Sequence, residues 1–210
     1  MKFEAVFSDT GCERPETYAY IGSLKMQGFE ITTIVPELGG FNNLYDYCWH
    51  YRMVPARHPA WCSVRFKREP CLSYYEKPCW QFIAFDYGEK HRAQISSADE
   101  VETRWPLIER EIDRQGCVDI IKAHDLPVPV KSGCYMCPQQ TYSQWRELRR
   151  VYPELFCKAV ELEKRNIEYR KSKGKKPMYL DSNGKPLDVI VNEAQGVLFE
   201  ELKPPCYCMT

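Results

Sequence analysis

Residues 3–35, FEAVFSDTGCERPETYAYIGSLKMQGFEITTIV, decide the fold class of this chain. The alternating residues at its start predict a strand, and Pro15 with the acid beside it predicts the first turn of a helix. Gly28 ends that helix, and the β-branched residues that follow predict a second strand. Strand, helix and strand within so short a stretch are typical of a βαβ unit. We therefore expect a parallel sheet and an α/β fold.

The rest of the chain predicts one more strand and several helices. The strand is the apolar run Trp80–Phe85, which we expect to be covered on both faces. The polar stretch Asp86–Ala98 follows it and is expected to be a loop. The predicted helices are residues 44–51, 66–75, 117–124, 141–150 and 153–171.

The composition limits the class of protein. A chain of 210 residues, 44% of them hydrophobic, suits one substantial domain, or one domain with a small appendage. The 29 basic and 29 acidic residues cancel, which excludes a global field that would draw the protein onto nucleic acid or an anionic membrane. The start of the chain is too short and too charged for a signal peptide, and no apolar run is long enough to span a membrane. We therefore expect a cytoplasmic protein.

Eleven cysteines are a large excess for such a chain. Cys134 and Cys137, in the segment KSGCYMCP, are spaced so that one turn of chain can present both thiolates to a metal. The proline after them, and the absence of a nearby pair of histidines, favour an iron–sulfur centre over a zinc finger. A redox dithiol and coincidence remain the alternatives. Cys206 and Cys208 flank one residue near the C-terminus, where the alternative to a chemical role is a frayed end.

The loop after the first strand is a candidate ligand site. It contains Asp9, Thr10 and Gly11. Open α/β sheets bind their ligands at the carboxyl ends of parallel strands, which is where these residues lie. An ordinary turn, in which Asp9 or Thr10 caps the following helix, is an equally good interpretation.

Two further groups of charged residues suit an anionic ligand. Arg65 and Lys67 can form charge-assisted hydrogen bonds to phosphate or sulfate, although a solvated basic helix face is the alternative. Glu89 and Arg92 follow the predicted strand Trp80–Phe85 and can orient a substrate. They can equally form a surface ion pair, which contributes little.

The order of these segments resembles the phosphoadenosine phosphosulfate reductase family, in the PP-loop group of adenine nucleotide alpha hydrolase-like proteins. The pattern covers nearly the whole chain and is similar to reductase-like proteins of phages and mobile elements. The residues that carry it are VFSDTG (6–11) with PETY (15–18), Trp61-Cys62 with Lys67 and Pro70, EKHRA (89–93), PLIE (106–109), KSGCYMCP (131–138), and Trp145, Leu148, Pro153-Glu154 and Ala159.

The resemblance implies a Rossmann-like, doubly wound parallel sheet. Residues 1–130 would form a truncated PP-loop type nucleotide-binding domain, and residues 131–210 a helical subdomain with the Cys-x-x-Cys pair and a Cys-x-Cys tail. The family's Ser-Gly-Gly-x-Asp-Ser loop is missing, since Gly39-Gly40 lacks the acid and the hydroxyl. We therefore expect the first strand–loop–helix unit to be absent. An upstream start, a second chain that supplies the unit, and a degenerate relative are the alternatives, of which we favour an incomplete or split gene product.

The resemblance also implies roles for the candidate residues. The bound nucleotide would be ATP or 3′-phosphoadenosine 5′-phosphosulfate. Its predicted binding residues are Asp9, Thr10 and Gly11 near the adenosine, and Arg65, Lys67, Glu89 and Arg92, with the cations facing the phosphate or sulfate.

In cluster-bearing relatives a cysteine pair ahead of a basic segment joins the later Cys-x-x-Cys around an iron–sulfur cluster. Cys62, Cys134 and Cys137 are the predicted metal ligands here, with zinc as the alternative metal. The earlier pair is reduced to Trp61-Cys62, so one ligand is missing. Cys206 or Cys208 is expected to replace it, or to be a redox-active cysteine.

The expected function is that of a reductase-like protein that handles an adenylylated or sulfated nucleotide in sulfur transfer or reduction. An electron donor such as thioredoxin is an expected partner. The alternatives are a metal-stabilised module of a tRNA or DNA thiolation system, which would contact nucleic acid, and an inactive remnant. Catalytic residues are not assigned, and the chain alone is expected to lack full activity.

Overall fold

The computed structural model describes residues 3–93 and 98–190, and it is a mixed α/β structure. The described residues divide into two compact units. One combines the residues up to Pro70 with those from Lys131 onward, and the other is Cys71–Val130. The predicted division into domains 1–130 and 131–210 stays a prediction, because a compact unit is not evidence of an independent domain.

The predicted βαβ unit is confirmed in the first unit. Strand β1 (Ala5–Ser8) pairs in parallel with strand β2 (Ile31–Ile34), so that Ser8 lies opposite Ile34 at their carboxyl ends. Helix α1 (Pro15–Met26) connects them and begins with a proline. Proline suits this position because the first backbone N–H groups of a helix have no partner within the helix. The carboxyl end of β1 thereby carries the loop that was predicted to bind a ligand.

Helices make up most of the remaining structure, and several have clear sequence signals. Asn43 begins the second helix by accepting hydrogen bonds from two backbone N–H groups of its first turn. Thr141 and Gln144 form a reciprocal capping box at the start of the seventh. The helices after α1 are α2 (Leu44–His50), α3 (Trp61–Ser63), α4 (Glu69–Tyr74), α5 (Pro106–Glu109), α6 (Arg114–Ala123), α7 (Tyr142–Val151), α8 (Pro153–Ser172) and α9 (Leu187–Ile190). A π-helical segment, Val64–Arg68, joins α3 to α4.

The core of the first unit lies where α7 and α8 pack against each other and against α2. Both helices place apolar side chains three or four residues apart on the buried face. The buried core residues on these three helices are Trp145, Leu148, Phe156, Ala159, Leu162, Leu44, Tyr47 and Cys48. Cys134 and Met136 join the same cluster, so the predicted ligand segment is part of the core.

The second unit contains the other parallel pair, β3 (Cys79–Phe82) and β4 (Val101–Arg104). The prediction that this apolar strand is covered on both faces is wrong, since Trp80 is 48% and Phe82 is 45% exposed. These two side chains share one face, which carries apolar rings at the surface of the unit. The stretch predicted as a loop after this strand contains a short 3₁₀ helix, Tyr87–Arg92.

Each sheet within residues 3–93 and 98–190 has two strands, so a complete doubly wound sheet is not present in this part of the chain. The expectation of an α/β fold is confirmed at the level of a mixed α/β protein with parallel strand pairs. No helix of the described residues is long and apolar enough to cross a membrane.

Candidate functional site

The loop after β1 holds the carboxylate of Asp9 in a fixed position. Its Oδ1 accepts hydrogen bonds from the backbone N–H of Gly11 (2.8 Å) and from the hydroxyl of Tyr18 (2.7 Å). Burial raises the pKa of Tyr18 well above its ordinary value, and the Asp9 carboxylate raises it further, so the phenol remains a donor. Asp9 therefore forms a side-chain turn with its own loop and is tied to α1.

Thr10 and Gly11 link this loop to neighbouring elements. Thr10 is only 1% exposed, and its hydroxyl donates to Oε1 of Glu13 (3.3 Å). Gly11 has a φ of +68°, and its carbonyl oxygen accepts from Nδ2 of Asn43 (3.0 Å), the residue that caps α2. The loop is thus built around a left-handed glycine and a buried hydroxyl, and α2 begins directly from it.

The loop is joined to the predicted ligand segment by backbone pairing. Glu13 and Cys134 form an isolated antiparallel bridge. The backbone N–H of Arg14 donates to the carbonyl oxygen of Gly133 (3.1 Å), and that of Tyr135 donates to the carbonyl oxygen of Cys12 (2.9 Å). The candidate ligand loop at the end of β1 and the Cys-x-x-Cys segment therefore form one site, although 120 residues of chain separate them.

The three predicted cysteine ligands within the described residues lie close together in this site. Burial, with a smaller contribution from Cys134, raises the pKa of the Cys62 thiol to about 11. Burial, with smaller contributions from Cys134 and Cys62, likewise raises the pKa of Cys137 to about 12. Each thiol thus lies within electrostatic reach of the others.

Two more cysteines belong to this thiol cluster, and the sequence did not single them out. Burial raises the pKa of Cys134, and a hydrogen bond with the Cys12 side chain raises it further. Cys48, on α2, is completely buried, and its pKa is raised by burial and then by Cys134 and Cys62. Cys12 follows the candidate loop directly, which was an available signal. Cys48 lies on an apolar helix face and resembles ordinary core packing.

The thiol cluster is not arranged as a metal centre. Among residues 3–93 and 98–190, no group of three or more histidine, cysteine, aspartate or glutamate side chains has an arrangement that could hold a metal ion. The described residues alone therefore do not fit the predicted metal. The predicted ligands Cys206 and Cys208 lie outside the described residues.

The predicted basic residues Arg65 and Lys67 lie on the same segment but have different surroundings in the structure. Arg65 is exposed on the π-helical segment. The Nζ atom of Lys67 lies 2.9 Å from Oε1 of Glu13. Burial lowers the pKa of this lysine, but the Glu13 carboxylate raises it by more, so the pKa of Lys67 is raised overall. Lys67 is therefore a charged residue of the site, within electrostatic reach of Cys134 and Cys137.

The other predicted pair, Glu89 and Arg92, lies in the second unit. The two side chains form an ion pair within the 3₁₀ helix, and both residues are buried, at 7% and 6% exposed. The guanidinium of Arg92 also lies 4.3 Å from the centre of the Phe85 ring. The alternative of a surface ion pair is wrong because the pair is buried; a role in ligand binding stays a prediction.

An open cleft runs along the cysteine segment in the first unit. Its walls include Arg14, Lys131, Cys134, Cys137 and Gln140, and its empty volume is about 290 Å³. The sequence did not point to Arg14, which appeared as a residue ahead of a helix-starting proline. A dissolved ligand can enter this cleft, because it is open.

Comparison with known proteins adds one relative. The chain is similar to an uncharacterised protein of Methanocaldococcus jannaschii, with 26% identity over 178 residues. The match covers 77% of this chain and 42% of the relative, so the chain spans less than half the length of that protein. No protein-family model matches the chain, and no solved structure does.

Proposed function

We propose that this chain is a domain of a phosphoadenosine phosphosulfate reductase-like protein. It handles an adenylylated or sulfated nucleotide in sulfur transfer or reduction, and its fold is the core of a doubly wound, adenine nucleotide alpha hydrolase-like sheet. The observation that carries the proposal is the backbone pairing of the Asp9–Gly11 loop with the Cys134 segment, through the Glu13–Cys134 bridge. A nucleotide at the carboxyl end of β1 would meet the thiols directly.

Two cationic side chains near the loop, of which Lys67 is paired with Glu13, are the basis for proposing an anionic substrate. Lys67 lies at the junction of the loop and the cysteines, and Arg65 projects from the same segment. Cationic side chains at the end of a parallel strand suit the phosphate or sulfate of a nucleotide. In this proposal Asp9, Thr10 and Gly11 position the nucleoside, and the cations bind the acidic end.

The missing phosphate-binding loop is proposed to come from another segment or a second chain. The Methanocaldococcus relative is more than twice as long as the part that this chain matches. In PP-loop proteins, backbone N–H groups ahead of a helix bind the phosphate, and such a unit can associate with the sheet formed by β1 and β2. Full activity would require that unit and an electron donor such as thioredoxin.

Calorimetric titration with adenosine 5′-phosphosulfate, 3′-phosphoadenosine 5′-phosphosulfate and ATP tests the proposal. At least one of the three is expected to bind, and Lys67→Gln is expected to weaken binding about tenfold, the loss of one charge-assisted hydrogen bond. The matched control is Arg68→Gln, on the same segment. If no adenine nucleotide binds while the protein remains folded by circular dichroism, the proposal fails.

Metal analysis after anaerobic purification tests the predicted cofactor and the alternatives. A cluster that includes Cys206 or Cys208 would give iron with sulfide, or zinc, and Cys134→Ala would remove it while Cys157→Ala would not. A metal-free, folded chain that binds no nucleotide supports the inactive remnant. Tight RNA or DNA binding with a steep salt dependence supports the thiolation module.

A further inference from the structure

We propose that the cleft beside Cys134 and Cys137 is a binding site for a compact oxyanion of the sulfate or phosphate type. The cleft is open, and its empty volume of about 290 Å³ includes open solvent, so the enclosed part of the space suits a small group. The inference goes beyond the proposed function, because a free inorganic anion is sufficient to occupy the site.

The charge of Arg14 carries the inference. The residue is 9% exposed, so its guanidinium is largely removed from water. Its Nη2 donates to the side-chain oxygen of Gln140 and to the backbone oxygen of Gln144, which are both neutral groups. Its carboxylate partner, Glu147, is 3.6 Å away and has a side chain that is 57% exposed. A buried cation normally has a close, buried counter-charge, so this guanidinium keeps a positive field in the wall of the cleft.

The other described residues that line the cleft strengthen this field. Lys131 adds a second cation, and none of the lining residues is an aspartate or a glutamate. Ser132 and the side-chain amide of Gln139 are neutral donors of the kind that complete the coordination of an oxyanion. The Cys134 and Cys137 side chains form the remaining wall.

The guanidinium of Arg14 is held in place by the surrounding structure. Nε2 of Gln140 donates to the backbone oxygens of Tyr135 (2.9 Å) and Cys137 (3.3 Å), which directs its oxygen towards Arg14. The backbone of Arg14 is itself bonded to Gly133. A site whose donors are already positioned loses little conformational entropy when an anion binds. This arrangement favours a specific site over loose attraction at the surface.

Titration of the chain with sodium sulfate and sodium phosphate, against sodium chloride at equal ionic strength, tests the inference. The readout is the amide NMR signals of Gly133 and the side-chain amide of Gln140. We expect saturable shifts with sulfate or phosphate and none with chloride. Arg14→Gln is expected to weaken binding at least about tenfold, whereas Arg150→Gln, on the exposed surface of α7, leaves it unchanged.

A second variant keeps the test decisive if Arg14→Gln does not fold. Ser132 is exposed at the cleft, so Ser132→Asp adds a negative charge there without altering the core. This variant is expected to weaken sulfate binding at least about tenfold by like-charge repulsion. Shifts that do not saturate, or that neither variant changes, would overturn the inference. Adenine nucleotides are titrated separately, so a failure here is distinct from a failure of the proposed function.

Discussion

The Nζ atom of Lys67 lies 2.9 Å from Oε1 of Glu13, and the side chain of that glutamate is only 2% exposed. Oε1 also accepts a hydrogen bond from the hydroxyl of Thr10. The ion pair therefore connects the π-helical segment to the loop that follows β1. Since Glu13 also pairs through its backbone with Cys134, this one residue contacts all three segments of the candidate site.

Lys67→Met is expected to lower the free energy of unfolding by about 3 kcal/mol, because it leaves the carboxylate of Glu13 buried without its counter-charge. Urea denaturation followed by circular dichroism measures the change. Arg65→Met, on the exposed side of the same segment, is the matched control and is expected to cost about 0.5 kcal/mol or less. The double variant Lys67→Met/Glu13→Gln should recover part of the loss. Equal effects of the two single substitutions would contradict a buried ion pair.

Gly11→Ala is expected to destabilise the chain by about 1–3 kcal/mol, since Gly11 has a left-handed φ of +68°. An added Cβ would also lie 2.5 Å from Nδ2 of Asn43, which must move and give up its bond to the loop. Thermal and urea denaturation measure the change. Gly22, within α1, has open space where a Cβ would lie, so Gly22→Ala is expected to stabilise the helix by about 0.5–1 kcal/mol. A stabilising Gly11→Ala would contradict the loop geometry.

The sequence predicts the elements whose signals are local. The β1–α1–β2 unit follows from alternation, a proline at the first helical turn and a glycine at the end, all of which lie within residues 3–35. The apolar run at Trp80 was misleading, because hydrophobicity indicates a strand but does not say which of its faces is covered. Exposure depends on what packs against each face of the strand, and this is not a local property of its sequence.

Contacts between distant segments account for what the sequence could not predict in the site. Lys67 pairs with Glu13 across 54 residues, and no spacing rule links two such positions. Arg14 contacts Gln140 across 126 residues, although its local context is that of an ordinary residue before a helix. Cys48 looks like core packing until the fold brings it beside Cys134. The Cys-x-x-Cys pair and the loop after β1, by contrast, both had local signatures.

Alkylation with iodoacetamide is expected to separate the cysteines by burial. Cys157 is exposed on α8, whereas Cys48 is completely buried and Cys134 is 9% exposed. A buried thiol reacts only when the structure opens, so Cys157 should react about tenfold faster or more in the folded chain. Peptide mass spectrometry over a time course measures each site. In urea the three rates should become similar, and fast labelling of Cys48 in the folded chain would contradict its place in the core.

The carboxylate of Glu163 on α8 binds the C-terminal part of the described chain. Its Oε1 accepts from the backbone N–H of Leu180 (2.7 Å), and its Oε2 accepts from that of Leu187 (2.8 Å). Burial raises the pKa of Glu163 to about 7, against the lowering effect of these two hydrogen bonds. Asp188 and Asp181 face the same group and raise the pKa further. The residue is 1% exposed, so the charged form is costly in the folded state.

Because the folded-state pKa of Glu163 (about 7) lies above the ordinary value of 4.5, the folded chain holds this proton more tightly than the unfolded chain. Its contribution to stability is therefore complete below pH 4.5 and is lost as pH rises through about 7, by roughly 2–4 kcal/mol in total. Glutamine cannot titrate, so Glu163→Gln should remove this step. Urea denaturation from pH 4 to pH 8, taken as the difference between wild type and variant, measures it. Glu161→Gln, exposed on the same helix, is the matched control and should leave the step in place. A difference curve for Glu163→Gln that is flat across this pH range would contradict the raised pKa of Glu163.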